Sequence, residues 1–250
     1  MKKIIVLGLA NSGSTMLCEM MYFLGINFGT AIGDRNKYGL SFEHRGVSAV
    51  LSQYLSFGVP IDWEKLPGCK GHLSQLVTKF FDRWSPLDSA IKRPILCAGM
   101  SVLDDETLRD LSFINCTRPI ENSIKGAIRA YPFFAEQMEA FQNDLQRGKE
   151  TTLERATALG CPIFEWDYDA MATNGREIVE SLAAWLGTNP APEIIDKALA
   201  VYDDSQHHFA GDDERSNTEE KQTGPQTELD LLLNARFGFP INHVTLEEIE

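Results

Sequence analysis

Four short apolar runs, each followed by a helical pattern, constrain this chain more than any other feature. They are KKIIVL (residues 2–7), AIKRPIL (90–96), LSFINCT (111–117) and CPIFEWDY (161–168). Runs of this length, rich in Ile, Val and Phe, read as buried strands. The helical patterns span residues 14–24, 41–55, 73–84, 107–111, 120–129, 133–159 (one long helix or a pair), 175–186 and 192–202. Met16, Leu17, Met20, Met21 and Leu24 follow helical spacing and Gly25 stops that helix; Gly187 stops the one at 175–186. Pro119 sits at the first turn of 120–129, and Pro94 puts the run 90–96 near a sheet edge or end. Phe80, Phe81 and Trp84 form a core stripe. Strands alternating with helices predict an α/β fold, a parallel sheet flanked by helices.

The 250 residues suffice for a single domain, and no internal repeat interrupts it. Residues 29–39 and 59–67 read as loops. Residues 203–228 turn to Asp, Glu, Gln, Ser, Thr and Gly and read as a solvated, flexible loop; the end holds a short apolar helix and an acidic tail at 240–250.

Composition excludes several classes. No apolar run approaches the ~18 residues of a membrane span. The start, MKKIIVLGLA, imitates a secretory leader, but its apolar stretch is short and no small-x-small cleavage site follows; Met16 and Leu17 before Cys18 also fail the lipoprotein pattern. The cysteines at 18, 69, 97, 116 and 161 are scattered and never paired as C-x-x-C. A reducing, cytoplasmic setting without structural zinc is expected. The net charge of −13 disfavours nucleic acid. Residues 1–130 hold 15 Lys+Arg against 12 Asp+Glu, the rest 8 against 24, so an anionic ligand belongs in the first half.

The first strand runs into GLANSGSTML. Gly8 and Gly13 have the glycine spacing of a phosphate-binding loop, and Ser14 and Thr15 bring hydroxyls to a helix N-terminus, where the dipole favours anions. A nucleoside-triphosphate loop would carry lysine at position 14, and here it is serine. The alternative is a capped strand-to-helix turn, for which Ser and Thr are equally suited.

Four segments, in order, resemble the sulfotransferases that use 3′-phosphoadenosine 5′-phosphosulfate (PAPS). VLGLANSGSTML is similar to their 5′-phosphosulfate loop, and YGLSFEHRGVSAVLSQYL to a Gly-x-x-Glu helix of bacterial members. IKRPILCAGMSVLDDETLRDLSFINCTRPIENSIKGAIRA resembles the Lys-x-Pro strand and the 3′-phosphate segment. IFEWDYDAMATNGREIVESLAAWLGTNPAPEIIDKALAVYDDSQHH resembles the late strand, its turn and the helices beyond. The resemblance implies a three-layer, P-loop-like fold. It also implies PAPS as co-substrate, no metal, and sulfuryl transfer to a hydroxyl or amine of a small-molecule or glycan acceptor. By position, Ser12, Gly13, Ser14 and Thr15 would hold the 5′-phosphosulfate, and Arg118 the 3′-phosphate.

Departures are specific. Asn11 stands where the family has Lys or Arg, so Lys92 or Arg93 would have to supply the cation. The second 3′-phosphate ligand, a serine in the family, is Gly126 here; Ser123, one turn earlier, or Lys125 would substitute. A general base would come from His72, Glu43 or His44; a lone histidine beside a helix start reads more often as a cap or surface group, and Glu43 is preferred because the resemblance puts its helix at the acceptor cleft. Glu165, Asp167 and Asp169 share one side of a strand, but the resemblance makes them a structural strand end. His207 and His208 do not face one metal. Two further readings stay open: a catalytically impaired nucleotide-binding or interaction protein on the same fold, and a P-loop nucleotide kinase.

Overall fold

The structure is a computed structural model that describes residues 1–29 and 42–202, with the backbone of residues 35–36 and 39–40 between them. Its strands are β1 (Lys3–Leu7), β2 (Arg35–Asn36), β3 (Gly39–Leu40), β4 (Ser89–Lys92), β5 (Ser112–Thr117) and β6 (Ile163–Asp167). Its helices are α1 (Ser14–Phe23), α2 (Arg45–Leu51), α3 (Lys70–Arg83), α4 (Leu96–Gly99), α5 (Asp105–Arg109), α6 (Ile120–Ala130), α7 (Ala135–Ala158), α8 (Met171–Leu186) and α9 (Pro192–Leu199). The main sheet is wholly parallel in the order β4-β1-β5-β6, while β2 and β3 pair antiparallel on their own. The sequence-based expectations for 203–228 and 229–250 lie outside the described residues.

The layers follow from the strand period of two. Ile4 and Val6 of β1 face a core built with Leu17 and Met21 of α1, Leu182 of α8 and Ile195 of α9. Ile5 and Leu7 face the opposite core, with Leu73 and Phe81 of α3 and Phe141 and Leu145 of α7. Each such fully buried side chain contributes about 1.5–3 kcal/mol. The central strands are therefore apolar on both faces, as a parallel sheet between two helical layers requires.

Two boundaries differ from the sequence reading in ways that matter for the site. The edge strand β4 stops at Lys92 instead of running to residue 96, because Pro94 has no N–H to continue a ladder and the chain turns into α4, with Leu96 N–H donating to the Arg93 carbonyl. Lys92 and Arg93 are thus presented at a strand end. The helix expected from residue 41 begins at Arg45: Glu43 is extended and bridges in parallel to Lys92, and His44 caps α2 by accepting the Val47 N–H on Nδ1.

The long amphipathic stretch is one helix, α7, after a 3-10 turn at Pro132–Phe134. Gly148 within it is required by close approach, since a Cβ there would lie 2.6 Å from the Cys97 carbonyl oxygen of α4. All five cysteines are free and buried. No helix among the described residues is long and apolar enough to cross a membrane.

Candidate functional site

The turn after β1 is tight and left-handed twice. Asn11 has φ 60° and Gly13 φ 81°. Asparagine tolerates that region better than lysine or arginine would, which gives Asn11 a conformational reason to be there. Gly13 is mandatory, because a Cβ there would also fall 2.1 Å from the Tyr168 ring. Ser12 N–H donates to the Leu9 carbonyl, and the first helical bond of α1 runs from Leu17 N–H to the Gly13 carbonyl. Among the described residues, the N–H groups of Gly13, Ser14, Thr15 and Met16 donate to nothing, as expected at an uncapped helix start. The Ser12 hydroxyl is buried and has no hydrogen-bond partner among the described residues.

Asn11 does not point its side chain along the turn. It lies against α6, where a Cβ on Gly126 would be 3.1 Å from the Asn11 Cβ. The two departures from the family pattern, Asn11 and Gly126, are therefore in contact.

The strand end next door supplies cations. Lys92, 3% exposed, donates from Nζ to the Thr15 hydroxyl at 3.0 Å and to Glu43 Oε1 at 3.0 Å. Arg93 hydrogen-bonds the other Glu43 oxygen. Glu43 retains 24% exposure. Burial alone would raise its pKa; Lys92 and Arg93 together outweigh burial and hold the carboxylate below its usual range. Three buried or half-buried charges thus sum to +1 beside the turn, in place of a cation within it.

Arg118 stands at the end of β5 with a side chain only 4% exposed. Its Nη1 donates to the Asn11 carbonyl at 3.1 Å, and its guanidinium lies 4.5 Å over the Tyr168 ring, the same ring that covers Gly13. Its Nε and Nη2 donate no hydrogen bond among the described residues, Nε being 3.7 Å from Asp169 Oδ1. Ser123, fully buried in the first turns of α6, likewise has an unpartnered hydroxyl. Buried donors are normally satisfied; Arg118 is the position the resemblance implies for a phosphate, and Ser123 lies one turn before the second, Gly126.

The base candidates separate. Among the described contacts, none joins His72 to the turn or to Lys92: it is exposed at the start of α3, with Nδ1 3.3 Å from the Tyr54 hydroxyl. His44 packs edge-on against Phe80, its Nδ1 committed to the cap, and burial pushes its pKa down to about 4. It is neutral at pH 7. Lys125 is exposed on α6. Glu165, Asp167 and Asp169 are exposed and serve locally: Glu165 accepts from Asn115, Asp167 accepts the Asp169 N–H, and Asp169 faces Arg118. Of the candidates, only Glu43 is brought to the turn. No group of three metal-ligating side chains occurs among the described residues.

His44 predicts a pH dependence. Unfolded, it takes a proton near pH 6.5; folded, it resists until about pH 4. The unfolded state then binds more protons between those values, so stability is full above pH 6.5 and falls as pH drops towards 4. The loss reaches about 3 kcal/mol at most. Glu43 adds a loss of the same sign below its ordinary titration range. The melting temperature is expected to drop between pH 7 and pH 5 in the native protein, and distinctly less in His44→Asn, which keeps a capping side chain. Equal drops would show that His44 is not the titrating group.

Sequence reasoning missed the residues that brace the turn from behind. Gln142 of α7 donates to the Ala10 carbonyl at 3.1 Å, and Lys149 to the Cys116 carbonyl at 3.2 Å. They are seven residues apart, on the helix face that also carries Met138, Phe141 and Leu145. Two polar residues at helical spacing inside an apolar face were the available signal. Tyr168 ends a strand in the sequence pattern, and its contacts with Gly13 and Arg118 come only with the fold.

No protein-family model matches the chain, and no curated protein matches it. A solved structure it is similar to is the sulfotransferase domain from the Synechococcus PCC 7002 olefin synthase. The likeness covers 95% of this chain and 94% of that one, at 14% identity and a TM-score of 0.42. It is a loose likeness of fold, and what the site does has to be argued from its own residues.

Proposed function

We propose that the chain binds PAPS, or its product PAP, between the turn after β1 and Arg118, and transfers the sulfuryl group to a hydroxyl or amine of a small-molecule or glycan acceptor. The observation that carries this reading is Arg118: a buried guanidinium at a strand end, fixed by Asn11 and Tyr168, with two donor atoms unspent. Its planar fork suits a phosphate. The unpartnered Ser12 and Ser123 hydroxyls and the bare N–H groups at the start of α1 fit the same anion-rich ligand.

PAPS supplies a sulfuryl group whose S–O bond to the 5′-phosphate breaks as the acceptor atom bonds to sulfur. Gly13 to Met16 and Thr15 hold the phosphosulfate oxygens. Lys92, already on Thr15, neutralises charge building on the leaving side, the role the family gives to a loop cation. Glu43, freed as Lys92 and Arg93 turn to the ligand, regains proton affinity and receives the acceptor's proton.

One observation favours a second reading, binding without transfer. The Asn11 side chain is committed to α6 and both cations are tied to Glu43, so a ligand has to compete for them. Calorimetry with PAP and with ATP, followed by a radiolabelled sulfate-transfer assay on pooled acceptors, separates the readings. PAP binding with labelled product supports transfer. PAP binding without product supports the second reading. ATP bound more tightly than PAP overturns both in favour of a kinase.

A further inference from the structure

Lys149 is the least explained charge in the described molecule. It is 5% exposed in the middle of α7, and its ammonium has one hydrogen bond, to the Cys116 carbonyl at 3.2 Å. No carboxylate pairs with it among the described residues. A buried ammonium without a counter-ion opposes folding, so its presence needs a reason.

Its surroundings supply one. Cys116 packs beneath the phosphate turn, its Cβ only 3.1 Å from where a Cβ on Gly8 would sit. Burial pushes the Cys97 thiol up to about 12, and the Lys149 charge opposes that rise. Gly148, next to Lys149, lets α7 close onto the Cys97 carbonyl. Two turns earlier on the same helix, Gln142 holds the Ala10 carbonyl. One face of α7 is thus fastened under the turn from Gly8 to Ala10, with the ammonium on the core side. In the turn itself the expected cation is replaced by Asn11. Beside it, Lys92 shares its charge with Glu43, whereas Lys149 shares its charge with no acid among the described residues.

We propose that Lys149 is the turn's own buried cation: its charge acts through the core from beneath Gly8 and stabilises an anion held by the N–H groups of Gly13 to Met16. The inference rests on reading that turn as an anion site. It makes Lys149 a positioning residue that touches no ligand, and it predicts a trade in which the unpaired charge weakens the free protein and strengthens the bound one. Electrostatic influence of this kind survives distance because the intervening medium is apolar.

The test measures binding of inorganic pyrophosphate by calorimetry, and melting with and without it, for the native protein, Lys149→Met and Lys149→Gln. Glutamine can still donate to the Cys116 carbonyl but carries no charge. Both variants are expected to bind pyrophosphate about tenfold more weakly and to show a smaller pyrophosphate-induced rise in melting temperature. Without ligand, Lys149→Met is expected to melt at the native temperature or above it. Native affinity in Lys149→Gln overturns the proposal, since the hydrogen bond would then suffice. So does failure of both variants to fold, which would make Lys149 a structural anchor. If the native protein binds no pyrophosphate, the anion-site reading itself fails and this inference with it. If it binds pyrophosphate but not PAP, the PAPS reading fails and the Lys149 result still stands or falls on its own.

Discussion

Replacing Lys92 by methionine is expected to lower turnover in the proposed sulfuryl transfer by about 10²–10³, the loss typical of one donor aimed at developing charge. The residue sits 3.0 Å from the Thr15 hydroxyl and 3.0 Å from Glu43, so its removal strips the turn of its neighbouring cation and brings the local charge from +1 to zero. It also takes from Glu43 one of its two described cationic partners. Breaking a buried pair costs about 3–5 kcal/mol, and the lower figure applies because Glu43 keeps a quarter of its surface in water. For a chain of this size that is a fall in melting temperature of about 6–12 °C. The double change Lys92→Met with Glu43→Gln is expected to recover most of the melting temperature; it also removes the proposed base, so turnover is read on Lys92→Met alone. Native turnover in Lys92→Met would mean that Lys92 is only a structural partner of Glu43.

Arg118 carries the other large effect. Lysine in its place keeps a charge and loses the fork, so Nε and Nη2 are no longer there to grip a 3′-phosphate. Affinity for PAP is expected to fall about 10²-fold, while affinity for 5′-AMP, which lacks the 3′-phosphate, changes little. The informative quantity is the ratio of the two, read by calorimetry on native protein and Arg118→Lys. A ratio that survives the substitution places the 3′-phosphate elsewhere, or shows that PAP is not the ligand. A uniform loss for both nucleotides would instead reflect the hydrogen bond to the Asn11 carbonyl and the stacking on Tyr168, through which Arg118 shapes the turn.

Much of the architecture is local and was legible. The alternation in KIIVL separates Ile4 and Val6 from Ile5 and Leu7, and those pairs do face different helical layers. Gly13, Gly187 and Pro94 did what their backbone chemistry dictates: a left-handed turn, a helix stop and the end of an edge strand. Arg118, Ser123 and Lys92 came from the resemblance and its departures, and the structure shows where they lie. Helix onset at residue 45 was not legible, because the extended segment before it is fixed by pairing with a strand 49 residues away.

The site's electrostatics lay further still from the sequence. Asn11 looked like a missing cation, and only packing against Gly126 shows that its side chain serves α6. Glu43 looked like a free base, and only the sheet edge shows it clamped between Lys92 and Arg93. Nothing in the sequence pattern singles out Lys149. Periodicity along a chain encodes which face of an element is buried, so the sequence alone determined strands, helices, layers and the turn. Which charge meets which depends on the lateral order β4-β1-β5-β6 and on the lie of α7 across it. Those contacts join residues 33 to 132 positions apart, and no local pattern records them, so the tertiary structure alone decided which charges lie near this turn.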